Sequence, residues 1–174
     1  MMGRKWCIVQ QSAFLEPDLT NLKESIRFTK EDYIEELLLS QVGRDTIKAI
    51  EESTVSIRIS EEKPFSGERG YEDNGSIILY PKNAKNRKIA GQTLIHEMAH
   101  FRFKVGHCQH AEAICYAMEL MHSRNREWIT ESEWENLVEL VKGAYSEYDW
   151  AVGGYGNFEQ FNFVKTDNEN ETNR

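Results

Sequence analysis

Apolar residues recur at helical spacing in several stretches of the chain and alternate with polar residues in two shorter stretches. The first pattern predicts a helix from Thr29 to near Gly43, and the next predicts a short helix over Arg44–Glu52. Alternation over Thr54–Ile59 and over Ser76–Tyr80 predicts two strands. Residues 61–75 between them are rich in glycine, glutamate and serine, and they predict a long loop.

A longer apolar stretch in the middle of the chain predicts a pair of helices. One carries residues 96–100 and ends at Val105-Gly106, where glycine supplies the left-handed conformation that stops a helix. A second helical pattern covers His110–Met121, so we expect an antiparallel hairpin about Gly106. Beyond it, Thr130 to Glu133 form a capping box that predicts another helix, and the aromatic segment 145–163 is expected to cover the hairpin.

The sequence His96-Glu97-Met98-Ala99-His100 indicates a metal site. Residues four apart lie on one face of a helix, so His96 and His100 present their imidazoles in the same direction. Two neutral histidine nitrogens at this spacing form half of a tetrahedral zinc site, and we expect a single zinc ion in each chain. Glu97 lies beside them, placed to accept a proton from a metal-bound water rather than to bind the metal.

Several residues are candidates for the third zinc ligand. In a hairpin about Gly106, Glu112 is as far from the turn as His100 and lies level with it, which favours Glu112. Glu119 lies two turns further along the same face, and we expect it to support a ligand or to lie at the surface. The alternative ligands lie in or near the turn and are His107, Cys108 and His110.

Together these motifs resemble those of the ImmA/IrrE-like metallopeptidases. The resemblance rests on the turn and strand over Asn74–Tyr80, on the H-E-x-x-H helix, and on the segment Glu112–Met121. That segment reads E-A-I-C-Y-A-M-E-L-M, against a family signature that runs roughly E-A-x-x-F-A-x-E-L-L. The matching region, residues 74–121, is under a third of the chain. It is also similar to the compact zincin domains at the ends of bacterial polymorphic toxins.

The resemblance implies an α+β protein with a minimal zincin-like fold, in which a small sheet and additional helices pack on the active-site helix hairpin. The zinc ligands that it implies are His96, His100 and Glu112. Glu97 would be the catalytic acid/base. The partners would be protein or peptide substrates, often regulatory proteins such as repressors. In zincins the strand before the active helix lines the cleft, so Ser76–Tyr80 is expected to be an edge to which an extended substrate adds.

The predicted reaction is zinc-dependent hydrolysis of a peptide bond. Glu97 would accept a proton from the attacking water and return it to the leaving amine. A second hydrogen-bond donor usually stabilises the oxyanion that forms in such reactions. The candidates for this donor are Tyr145, Tyr148, Tyr155, His107 and His110.

Composition limits the other classes of function. The chain has 174 residues and a net charge of −8, which argues against a nucleic-acid partner because such binding needs a basic face. The apolar stretch at the N-terminus is too short for a signal peptide, and no apolar run approaches membrane-spanning length. We therefore expect a cytoplasmic protein with no membrane partner. An effector exported by a specialised secretion system would also lack a signal peptide, so this alternative stays open.

We expect a single metallopeptidase domain over residues 1–165 and a disordered tail over residues 166–174, which are polar. The cysteines lack the number and spacing of a disulfide framework, and they are Cys7, Cys108 and Cys115. Cys115 falls on a helix face toward the core, where we expect it to pack as a small apolar group.

Two alternative functions share the predicted site. In the first, zinc holds the helices together in a non-catalytic protein-interaction domain, and Glu97 has no chemical role. In the second, the chain is a secreted effector or toxin protease that performs the same chemistry inside another cell. The intact H-E-x-x-H motif favours an enzyme over the interaction domain.

Overall fold

The computed structural model describes residues 28–103, 108–148 and 163–165, and they form an α+β structure, as predicted. The α-helices are α1 (Lys30–Leu37), α2 (Gln41–Glu51), α3 (Arg87–Phe103), α4 (Gln109–Ser123) and α5 (Glu131–Ala144). The strands are β1 (Ser56–Ile59), β2 (Gly70–Asp73), β3 (Ser76–Leu79), β4 (Ile129–Thr130) and β5 (Val164–Lys165). A short 3₁₀ helix, Pro81–Asn83, lies between β3 and α3.

The first helical stretch breaks at residues 38–40, so the prediction that it ends near Gly43 is wrong. Ser40 caps α2, and its hydroxyl accepts a hydrogen bond from the Gly43 N–H at 2.9 Å. Gly43 therefore lies in the first turn of α2. A Cβ atom at Gly43 would lie 1.9 Å from the Leu37 carbonyl oxygen, so only glycine allows α2 to approach the end of α1 this closely.

Both predicted strands are confirmed, but the predicted loop over 61–75 also contains β2. β2 pairs antiparallel with β3, and Gly70 lies opposite Leu79. The two strands are joined by Asn74-Gly75, whose φ angles of 51° and 83° are those of a tight hairpin turn. The loop prediction failed because the four-residue strand Gly70–Asp73 has no apolar alternation.

β3 is the central strand of its sheet, so the expectation that Ser76–Tyr80 forms an open edge is wrong. It pairs in parallel with β1 on one side and with β2 on the other, in the order β1-β3-β2. Among the described residues, β2 lies at the edge of this sheet and also contacts α3. Ile77 and Leu79 point inward from β3 and are fully buried.

The hairpin of α3 and α4 forms the centre of the structure, with α1 packed on α3 and α5 packed on α4. The largest apolar side chains that the two helices bury are Leu94, Ile95, Met98 and Ile114. The capping box at Thr130 is confirmed and starts α5. In the part of the chain that the structure describes, no helix combines the length and apolarity needed to cross a bilayer. The predicted tail, residues 166–174, lies outside the described residues.

Two glycines inside helices allow a matched test of the α1–α2 junction. We expect Gly43→Ala to lower the free energy of unfolding by about 1–3 kcal/mol, because the methyl group overlaps the Leu37 backbone. Gly143→Ala in α5 meets no atom within 4 Å and should be neutral or stabilising, by up to about 1 kcal/mol. Urea unfolding of both variants measures the difference, and equal stability of the two would refute the packing described here.

Candidate metal centre

α3 carries the H-E-x-x-H residues, as predicted, and buries them. His96, Glu97 and His100 are 5%, 9% and 4% exposed. The imidazoles of His96 and His100 lie one helical turn apart on the face toward α4, with ring centroids 5.1 Å apart. The helix therefore presents two histidine nitrogens to the interior of the protein rather than to solvent.

Glu112 of α4 lies between the two imidazoles. Its Oε2 is 3.3 Å from Nε2 of His96, and its Oε1 is 3.4 Å from Nε2 of His100. Nitrogen and oxygen ligands bound tetrahedrally to one zinc ion at about 2.05 Å would be about 3.3 Å apart. The structure thus brings together the three predicted ligands, each contact of Glu112 has the spacing of two ligands on one ion through a different oxygen, and Glu112 is level with His100 as the hairpin geometry requires.

Glu119 supports His96 from its other side. Its Oε1 lies 2.7 Å from Nδ1 of His96, and the Arg69 guanidinium lies 3.8 Å from the same oxygen. Glu119 is only 7% exposed, so of the two roles expected for it the surface role is wrong. A carboxylate on Nδ1 fixes the orientation of the ring and leaves Nε2 facing Glu112, which is the usual support of a metal-binding histidine.

Cys115 also faces the two histidines, which the sequence analysis missed. Its Sγ and a ring nitrogen of each of His96 and His100 lie within 4.8 Å of one another. Cys115 is three residues after Glu112 on α4, and this helical spacing was the signal that could have found it. We still favour Glu112 as the third ligand, because its two oxygens lie 3.3 Å and 3.4 Å from the histidine Nε2 atoms, which is the separation expected of two ligands on one zinc ion.

The other candidate ligands lie elsewhere or outside the described residues. The ring of His110 packs edge-on against Trp134 of α5, with centroids 5.8 Å apart. Cys108 is the N-cap of α4, and its Sγ accepts a hydrogen bond from the Ala111 N–H at 3.4 Å. His107 lies outside the described residues.

Of the predicted oxyanion donors, Tyr145 is connected to His96 through Tyr116. Its hydroxyl lies 3.1 Å from the hydroxyl of Tyr116, whose ring packs edge-on against His96 at 5.0 Å. Tyr148 stacks on Tyr145 with ring centroids 5.7 Å apart. Tyr155 lies outside the described residues.

A small cavity beside Glu97 extends the site toward β2. Its volume is about 20 Å³, which is room for a single water molecule. The residues that line it are Glu68, Arg69, Gly70, Thr93, His96, Glu97 and Tyr116. Glu68 and Arg69 come from the segment that was predicted to be a loop, and the position of this segment over α3 depends on the pairing of β2 with β3, which was not predicted.

Charge in the site is strongly unbalanced. The buried carboxylates are Glu68, Glu97, Glu112 and Glu119. Burial raises the pKa of Glu97, and burial together with the charge of Glu97 raises the pKa of Glu68 to about 7. Burial alone would lower the pKa of His96, but its hydrogen bonds to Glu112 and Glu119 outweigh that effect and raise the pKa to about 10. Each of these shifts reduces the negative charge that the buried groups carry.

Comparison of the chain with protein-family models, with curated proteins and with solved structures gives no match in any of the three.

Glu119 allows a test of the support given to His96. We expect Glu119→Ala to weaken zinc binding by about 10- to 100-fold, because His96 loses the carboxylate that orients its ring. Glu139→Ala, in which the removed carboxylate is 74% exposed on α5, should leave the affinity unchanged. Titration against a chromophoric zinc chelator measures both dissociation constants. If the two variants bind zinc equally well, Glu119 has no role in the site.

Proposed function

We propose that this chain is a zinc-dependent metallopeptidase that hydrolyses peptide bonds in a protein or peptide substrate. The observation that carries the proposal is the placement of Glu112, 3.3 Å and 3.4 Å from the Nε2 atoms of His96 and His100. The proposal is also supported by the resemblance to ImmA/IrrE-like metallopeptidases, whose two signature segments correspond to the two helices that meet at this point. On this proposal the fold is a minimal zincin fold.

The donor set fits zinc better than a hard cation. Two imidazoles and one carboxylate suit a borderline-soft ion, whereas magnesium and calcium prefer oxygen ligands throughout. The surplus of buried carboxylates over the nearby Arg69 favours a divalent cation at the same place. Three protein ligands, His96, His100 and Glu112, leave a fourth position for the reaction.

The residues of the chain would position the reactants and move the proton. Zinc, when bound, lowers the pKa of a water molecule and polarises a peptide carbonyl. Glu97 lines a cavity of one-water size, so its carboxylate can accept the water proton during attack on the carbonyl carbon. As the carbon–nitrogen bond breaks, Glu97 returns that proton to the leaving amine. Glu119 holds His96 in position throughout.

We expect an extended substrate to bind along β2 rather than along β3. Within the described residues β2 is one of the two edge strands of the sheet, the other being β1, and its first residue, Gly70, lies against α3. A Cβ atom at Gly70 would lie 3.0 Å from Cγ of Glu97, so glycine lets the strand pass close to the catalytic carboxylate. Arg69, which precedes it, lines the same cavity and offers N–H donors to a substrate carbonyl.

A non-catalytic, zinc-stabilised interaction domain is the second candidate, and the position of Cys115 favours it. Structural zinc sites take all four ligands from the protein, whereas catalytic sites leave one position open. With its Sγ within 4.8 Å of both histidines, Cys115 is a candidate for a fourth protein ligand. A permanently closed site would leave Glu97 without a chemical role.

Glu97→Gln separates the two candidates. In a peptidase this variant should bind zinc as the wild type does and lose about 10²- to 10⁴-fold in the rate of hydrolysis, because the proton acceptor is gone. The assay is mass spectrometry of a mixed library of unstructured peptides incubated with the zinc-loaded protein. Glu139→Gln, on the exposed face of α5, is the matched control and should cleave at the wild-type rate.

Cleavage by Glu97→Gln at the wild-type rate would contradict the proposed mechanism. If neither the zinc-loaded wild type nor zinc-loaded Cys115→Ser, which lacks the candidate fourth ligand, cleaves any peptide of the library, the interaction domain becomes the better interpretation.

A further inference from the structure

The position of Cys115 points to a means of regulating the proposed site. Its side chain is completely buried in the α3–α4 hairpin. Its Sγ lies within 4.8 Å of a ring nitrogen of His96 and of His100, the two imidazoles that also face Glu112. We propose that the Cys115 thiolate is a reversible fourth protein ligand, which closes the metal site to the reacting water until it is displaced. This inference rests on the proposed function of the His96–His100–Glu112 site.

The helix geometry explains why a cysteine at this position reaches the metal site. Residues three and four apart on a helix share a face, so Glu112, Cys115 and Glu119 all point from α4 toward α3. Glu112 and Glu119 make their contacts with His96 from that face, at 3.3 Å and 2.7 Å. Cys115 lies between them in sequence and therefore faces the same imidazole.

The distance decides whether coordination is within reach. In a tetrahedral zinc site a thiolate sulfur lies about 3.6 Å from a nitrogen ligand, given bonds of about 2.3 Å and 2.05 Å. Sγ of Cys115 and one ring nitrogen of each histidine lie within 4.8 Å of one another, so each sulfur–nitrogen distance exceeds the coordination distance by at most about 1.2 Å. Cys108 offers no comparable ligand, because its Sγ caps the first turn of α4.

Coordination by Cys115 changes both charge and access. When the sulfur takes the fourth position, the water held there would leave together with the proton of the thiol, and the resulting thiolate and the Glu112 carboxylate would together balance a divalent cation. A fourth protein ligand would leave no position for the reacting water, so hydrolysis would be suppressed. Opening the site would break the metal–sulfur bond, a water molecule would take the vacated position, and the thiolate would take up a proton. Peptidase activity would thus depend on how readily Cys115 leaves.

Cobalt substitution of the full chain tests this directly, because a thiolate bound to Co(II) gives a charge-transfer band in the near ultraviolet that nitrogen and oxygen ligands do not. We expect the Co(II)-loaded wild type to show this band. Cys115→Ser should lose it while still binding Co(II), and the zinc-loaded variant should cleave peptides faster than the wild type. The matched control is Cys7→Ser combined with Cys108→Ser, which should retain the band.

The outcomes distinguish this inference from the proposed function. A wild type that binds one equivalent of Co(II) without the band overturns the role of Cys115 and leaves the His96–His100–Glu112 site intact. A band that persists in Cys115→Ser also overturns it, because another thiolate must then be the ligand. A folded wild type that binds no Co(II) overturns both proposals at once.

Discussion

Between α3 and α4, two imidazoles and the carboxylates of Glu112 and Glu119 meet in a region that bulk water does not reach. A carboxylate buried without compensation costs roughly several kcal/mol, so such a cluster needs protons, cationic side chains or a metal ion. Neighbouring side chains supply part of this compensation. The segment before β2 brings Arg69 to within 3.8 Å of Glu119, and the histidines bind both carboxylates. A divalent cation between His96, His100 and Glu112 would complete the compensation.

This arrangement links the packing of the hairpin to its proposed chemistry. The same contacts that join α3 to α4 would fix three ligands, orient one of them through Glu119, and leave Glu97 facing a cavity of one-water size. Gly70 allows β2 to approach that cavity closely, which would bring an extended substrate near the reactive groups. Cys115 lies on the same helix face, where on our proposal it would either complete a closed site or withdraw from an open one.

Two kinds of sequence pattern predicted parts of the candidate site. One is residue spacing within a single helix, and the other is equal distance from the turn between two helices. His96, Glu97 and His100 were identified from their spacing alone, and Glu112 from its distance to the turn. The capping box at Thr130 was also predicted from neighbouring residues alone, because it joins Thr130 to Glu133 three positions later.

Features that depend on tertiary approach were missed. Gly43 was read as a helix stop, because its close contact with Leu37 exists only in the folded chain. The residues 70–73 were read as loop, because pairing with β3 rather than an apolar pattern makes them a strand. The prediction that Cys115 packs in the core is confirmed, but the sequence did not show that two histidines face it there. The role of Arg69 depends in the same way on where β2 lies.

The most direct test of the metal centre is the zinc content of purified protein, measured by elemental analysis in the wild type, in Glu112→Ala and in His110→Ala. We expect about one zinc per chain in the wild type, a strong loss in Glu112→Ala, and no loss in His110→Ala, whose side chain faces Trp134 instead. Undiminished zinc in Glu112→Ala, or a folded wild type that takes up no zinc, would contradict the metal centre proposed here.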